Sequence, residues 1–114
     1  PQQALVLLND PTYVEAARAF AVRIIREGGG SSDERIRWAW RQAVSRHASD
    51  REVAVVKRVF EKHRAQYTED VEAGKALASV GAQKPPADID STELASWTSV
   101  ARVILNLHES ITRN

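Results

Sequence analysis

Cysteine and methionine are both absent from the 114 residues of this chain. Without cysteine the segment can hold no disulfide, no thiol nucleophile, no iron–sulfur cluster and no covalently attached c-type haem. The redox compartment stays open, because many secreted proteins also lack cysteine. Long apolar runs are missing too. Nothing approaches the roughly 18 residues that a membrane-spanning helix needs, so no membrane span is expected. Strand-type alternation flanked by turn signals is confined to the short run Ala4 to Leu8. The net charge is only +1, too small to imply a polyanionic partner by itself. Glycines number five and prolines four; Gly28 to Gly30 and Gly81 are expected to stop helices, and Pro85-Pro86 to hold a connector.

What is present reads as helix almost throughout. The hydrophobic fraction of 43% is ordinary for a folded domain. A chain of this length buries about two-thirds of its unfolded surface, enough for one core. Asp10 before Pro11 predicts a helix start, with an N-cap carboxylate and then proline in the first turn. Val14, Ala17, Ala21, Ile24 and Ile25 recur at helical spacing until Gly28, Gly29 and Gly30 stop the helix. Ser31 with Glu34, and Ser49 with Glu52, have the spacing of capping boxes. Between them Ile36, Ala39, Trp40, Ala43 and Val44 make an apolar face; beyond them Val53, Val56, Phe60, His63 and Tyr67 make another. A shorter helix is predicted from about Glu69 to Val80, and Lys84-Pro85-Pro86-Ala87 as an extended connector. Asp90 with Glu93 announces the last helix, with Trp97, Val100, Ala101, Ile104, Leu107 and Ile111 on its face. The expected fold is all-α: a compact irregular bundle of five main helices plus a short N-terminal apolar helix or lead-in. Ile24, Trp40, Phe60, Leu77, Trp97 and Ile104 are expected to share one core.

Charge is uneven along the chain. Arg35 to Arg64 holds nine basic and three acidic residues, whereas Thr68 to Glu93 holds six acidic and two basic ones. Two helices joined near Ser45 to Asp50 would suit a helix-turn-helix that grips phosphate. Against this, the turn carries Asp50 and Glu52, and the second helix is not especially basic where base contacts would be made. The expectation is solvated helix faces neutralised within the fold, and no nucleic-acid partner.

Chemistry-bearing constellations are weak. His47, His63 and His108 are scattered, with no HxxxH pair and no cysteine to complete a zinc site. No metal and no cofactor are expected in this segment; His63 and His108 read as half-buried side chains with a hydrogen-bond partner. The glycine run ends a helix rather than following a strand, so it is no phosphate loop. No serine sits in a nucleophile elbow, and no catalytic residue is assigned. Trp38 and Trp40 lie about 200° apart around a helix, so both cannot face one core. Trp40 travels with Ile36 and Val44; Trp38 travels with Arg35 and Arg41. Either an arginine stacks on Trp38, or Trp38, Arg35 and Arg41 form a contact surface of hot-spot composition. Ala4 to Leu8 is a row of five apolar residues. Leu5 and Leu8 are its candidate contacts, either folding back onto the bundle or burying against a second copy as a homo-oligomer.

The two ends, QQALVLLNDPTYVEAAR (Gln2 to Arg18) and ASWTSVARVILNLHESITRN (Ala95 to Asn114), resemble the C-terminal region of a domain of unknown function. RIRWAWRQAVSR (Arg35 to Arg46) and VGAQKPPADIDSTELASW (Val80 to Trp97) follow the same order. That domain occurs in large secreted proteins of planctomycetes and related bacteria, downstream of cytochrome-c-like domains. The resemblance implies that residues 1–114 are a single helical domain, the C-terminal fragment of a larger one, in an extracytoplasmic setting (periplasmic or cell surface). Its partners would be upstream domains of the same polypeptide. The resemblance singles out Asn9, Asp10, Asn106 and Glu109 as polar family-motif residues. The family pattern sets an aromatic or bulky residue after that glutamate; Ser110 stands there here. The leading functional expectation is a helical scaffold or interaction module of a larger multidomain protein. The alternatives are a non-autonomous part of an enzyme or of an electron-transfer or polysaccharide-processing assembly, and a nucleic-acid-binding bundle.

Overall fold

Five helices follow one another among the described residues of the computed structural model, which cover 11–81 and 84–112, with side chains described for 13–81 and 84–107. They are α1 (Pro11–Glu27), α2 (Ser32–Val44), α3 (Asp50–Glu69), α4 (Val71–Ala78) and α5 (Ser91–Thr112). Each boundary has a local cause. Pro11 opens α1, where its missing N–H removes one of the orphan donors of a helix start. Ser31 Oγ accepts from the Glu34 N–H at 3.1 Å and starts α2. Ser45 closes α2 in the left-handed region, at φ 64°, with its N–H on the Arg41 carbonyl. The capping box at α3 is complete. Ser49 Oγ accepts from the Glu52 N–H at 3.1 Å, and Glu52 Oε1 accepts from the Ser49 N–H at 2.8 Å. Asp70 ends α3 and starts α4 at once: its N–H reaches the Gln66 carbonyl and its carboxylate accepts from the Ala73 N–H. Asp90 caps α5 by accepting from the Glu93 N–H.

The organising element is α5. It packs against all four other helices, most extensively against α1 and α3. Residues 94–101 are buried without interruption. The predicted stripe of Trp97, Val100, Ala101 and Ile104 is therefore only part of what is covered; Leu94, Ala95, Ser96, Thr98 and Ser99 are covered as well. Small hydroxyl residues can sit on a helix's second face because they bond back to their own helix. Ser96 Oγ donates to the Thr92 carbonyl and Thr98 Oγ1 to the Leu94 carbonyl, each at 2.7 Å.

The core joins Ile24, Trp40, Phe60, Trp97 and Ile104, as the spacing predicts. Leu77 is a correction: it is half-buried, and Ala78 with Gly74 fills the inner side of α4. This short helix lies so close to α3 that a Cβ on Gly74 would meet Tyr67 Cβ at 3.2 Å. A leucine cannot occupy that seam. Leu107 is a second correction, because it emerges to 37% exposure beyond the covered part of α5. Arg18 was not anticipated at all. It is 4% exposed on the core side of α1 and donates to the Ala78 carbonyl at 3.1 Å, so its cation meets the C-terminal end of α4, where the helix dipole favours it.

Ion pairs run over the surface, and one of them, Arg64 with Glu93, joins the basic block to the acidic one. Arg64 pairs with Glu93, Arg26 with Asp88, Arg37 with Asp50, Arg46 with Glu52 and Lys57 with Asp33. Exposed pairs of this kind contribute little each. Glu52 has the strongest electrostatic signature. The Arg46 guanidinium, with the Ser49 N–H behind it, holds its carboxyl at about 2 against an ordinary 4.5. A carboxyl depressed on folding stabilises the fold fully above 4.5, and that contribution is lost as pH falls towards 2. Glu52→Gln keeps the box geometry and removes the charge. Chemical denaturation should therefore show the variant less stable than the wild type at neutral pH, with the gap closing on acidification through this window. A gap independent of pH would contradict the assignment.

Candidate functional site

A cleft of about 290 Å³ lies between α3 and the C-terminal half of α5, lined by His63, Ser99, Arg102, Val103, Asn106 and Leu107. Each wall has a structural origin. His63 stands one turn from the buried Phe60 and Tyr67 on α3, so it sits where the apolar stripe meets the surface. Its ring centroid is 6.0 Å from that of Tyr67. Ser99, Arg102 and Asn106 follow at near-helical intervals on α5. They mark the side that turns outward as the covered segment ends.

The hydrogen bonding of this cleft is unfinished. His63 Nδ1 is shielded from solvent and has no hydrogen-bond partner among the described residues, which corrects the expectation of a satisfied histidine. Burial, reinforced by the positive charges of Lys62 and Arg102, pushes the His63 imidazole below its ordinary value. The ring is therefore neutral near pH 7. Ser99 Oγ and Tyr67 Oη are 3.5 Å apart, a long contact for two hydroxyls. No carboxylate lines the cleft among the described residues.

Of the residues singled out from the sequence, Asn106 is in this cleft, half-buried. Glu109 stands one turn further along α5, with its side chain outside the described set, as is that of His108. Leu5, Leu8, Asn9 and Asp10 also lie outside the described residues. Trp38, Arg35 and Arg41 are engaged within the chain. Trp38 is half-buried against the core, 6.3 Å from Phe20, with the Arg23 guanidinium 5.4 Å above its ring. The stacking arginine comes from α1, not from the neighbours on α2. Arg35 donates to the Gly29 and Ile25 carbonyls at 3.1 Å each and lies 5.8 Å over Trp97. Arg41 Nη1 donates to His47 Nε2 at 2.6 Å.

The juxtaposition of His63 and Asn106 was invisible to spacing. His63 and Asn106 are far apart in sequence, and no motif links them. The signal that could have drawn attention was His63 itself, a titratable group in an otherwise apolar row. Among the described residues, no group of three or more histidines or carboxylates is placed to hold a metal ion. No helix there is long and apolar enough to cross a membrane.

The fold is an all-helical bundle that carries a small cleft with several hydrogen-bonding side chains in its described lining. Residues 1–60 match the family model described as PSD1, protein of unknown function (DUF1553), and the chain belongs to that family. The match closes within α3. The α5 wall of the cleft and the closing motif around Asn106 lie beyond it. No curated protein and no solved structure matches the chain.

Proposed function

We propose that this chain is a helical interaction module of a larger extracytoplasmic protein, working beside cytochrome-c-like domains and holding no cofactor of its own. Its partners are other domains of the same polypeptide. The observation that supports this best is the cleft between α3 and α5. It gathers hydrogen-bonding groups from two helices and places the exposed apolar Leu107 at its edge. Such a mixture, apolar contact with a few convergent polar groups, is what recognition sites are built from. The basic residues that could have served a nucleic acid are largely engaged inside the chain: Arg37, Arg46, Lys57 and Arg64 with carboxylates, Arg41 with His47.

A second reading draws on the same cleft. His63, Ser99 and Asn106 could serve a site shared with the rest of the parent, which would make the chain a non-autonomous part of an enzyme or of an electron-transfer or polysaccharide-processing assembly. The two readings differ in what faces the cleft. A photo-cross-linking residue at position 107 of the intact parent tests the module directly. Cross-links to another domain of the same polypeptide are expected. Cross-links confined to residues 1–114 would contradict the proposal.

A further inference from the structure

We propose that the outward face of α3 docks an acidic helix. Arg51, Arg58 and Lys62 pair with carboxylates on that helix, and Val55, standing among them, meets one of its apolar side chains. This rests on the module reading for the source of the partner, another domain of the same polypeptide, and adds a surface separate from the cleft.

Helix geometry sets the row. Arg51, Val55, Arg58, Lys62 and Ala65 follow at intervals of four, three, four and three residues, and all are exposed. At about 100° and about 1.5 Å per residue, the three cations fall within an arc of about 40° and span about 16 Å. Intervals alternating between three and four are those of the seam between two packed helices.

The charge of this row has no partner within the described residues. Arg51, Arg58 and Lys62 make no hydrogen bond, ion pair or ring contact there. Every other described arginine is engaged within the chain. Lys84 is unpaired too, but it lies against α1. The acids closest in sequence are committed elsewhere: Asp50 to Arg37, and Glu52 to Arg46. Glu61, on the flank of the row, stands one turn after Lys57, and its field acts on that ammonium.

Two residues of the row oppose the local rules of helix construction. Arg51 puts a cation in the first turn of α3, where the helix dipole favours an anion. Val55 puts a β-branched side chain at a solvent-facing helical position. It is 50% exposed, more than any other large apolar side chain described. Neither choice serves this fold, and departures from local consistency concentrate at functional surfaces.

Charge and apolar contact together decide the class of partner. Unpaired cations in a row complement a row of carboxylates. Val55 and Ala65 gain nothing against a phosphate or sugar-acid chain, whereas against a helix they fill the seam. The cationic row also ends: Glu69 stands in line with it two turns beyond Lys62. A uniform polyanion lying along α3 would be repelled there, and a short acidic helix would not. A second copy of this chain, paired symmetrically through this face, would set cation against cation.

The test is photo-cross-linking of the intact parent with p-benzoylphenylalanine at position 55, the captured peptide being identified by mass spectrometry. Capture of a segment of another domain, with carboxylates at three- or four-residue spacing, is expected. The double variant Arg58→Glu, Lys62→Glu should lower the yield about tenfold or more, and Arg58→Lys, Lys62→Arg should preserve it. Both positions are exposed and unpaired in the chain, and unchanged circular dichroism would confirm that the variants fold. Capture of a segment without carboxylates, of a second copy, or of nucleic acid or polysaccharide would overturn the proposal. So would no capture, or a charge reversal without effect. Position 107 reads the cleft separately. Another domain captured at 107 with none at 55 would remove this surface and leave the module reading standing; the reverse pattern would keep this surface and remove the cleft from the account.

Discussion

Trp97→Ala should remove about 3–5 kcal/mol of stability, the range for deleting a fully buried tryptophan. Trp97 is 0% exposed on the central helix, and its ring centroid lies 4.3 Å from that of Phe60. The loss combines the transfer free energy of the indole with the cavity left behind, because helices converging on α5 cannot all relax into one gap. Since small domains have about 5–15 kcal/mol in total, the variant should sit near the threshold of folding. Trp40, at 3% exposure, should behave alike. Trp38, half-buried against Phe20, should cost less, about 1.5–3 kcal/mol. Urea denaturation of the three alanine variants measures the ordering. Equal losses at Trp38 and Trp97 would mean that the core does not centre on α5.

Gly28→Ala should cost about 1–3 kcal/mol, as overpacking does in a tight seam, while Gly30→Ala should be neutral or stabilising by about 0.4–1 kcal/mol. The two differ in what a methyl group meets. At Gly28 it would lie 2.5 Å from the Ile24 carbonyl oxygen and 3.1 Å from Arg35 Cα, so backbone must move. At Gly30 nothing lies within 4 Å. Between them Gly29 has φ +111°, which strains any side chain. The α1–α2 junction is thus set by two glycines of the three, and thermal melts of the single variants separate them.

These residues show what the sequence could convey. Caps and stops are local, so Ser49 with Glu52, Asp90 and the glycine run were legible from spacing alone. One-sided burial was legible too, as at Trp40 and Phe60. What escaped was whatever depends on several neighbours at once. A helical period distinguishes one wet face from one dry face, but α5 is enclosed on every side between residues 94 and 101. Ser96 and Thr98 read as polar until their hydroxyls are seen turned back onto the helix. Arg18 drew no reading from the sequence, because its partner, the Ala78 carbonyl, is sixty positions away. Leu77 seemed the larger prize for the core, yet the close approach of α4 to α3 admits only Gly74 and Ala78. Of the site, Asn106 was legible as part of a family-like motif. Its neighbours His63 and Ser99 were not, since the cleft exists only where α3 crosses α5.

A structure of the intact parent polypeptide tests the central claim most directly. If the chain is an interaction module, another domain will lie over the cleft, with polar groups opposite Ser99 and Asn106 and apolar contact to Leu107. If instead His63, Ser99 and Asn106 line an open cavity shared with redox or catalytic groups of the parent, the chain contributes to chemistry and the module account is wrong.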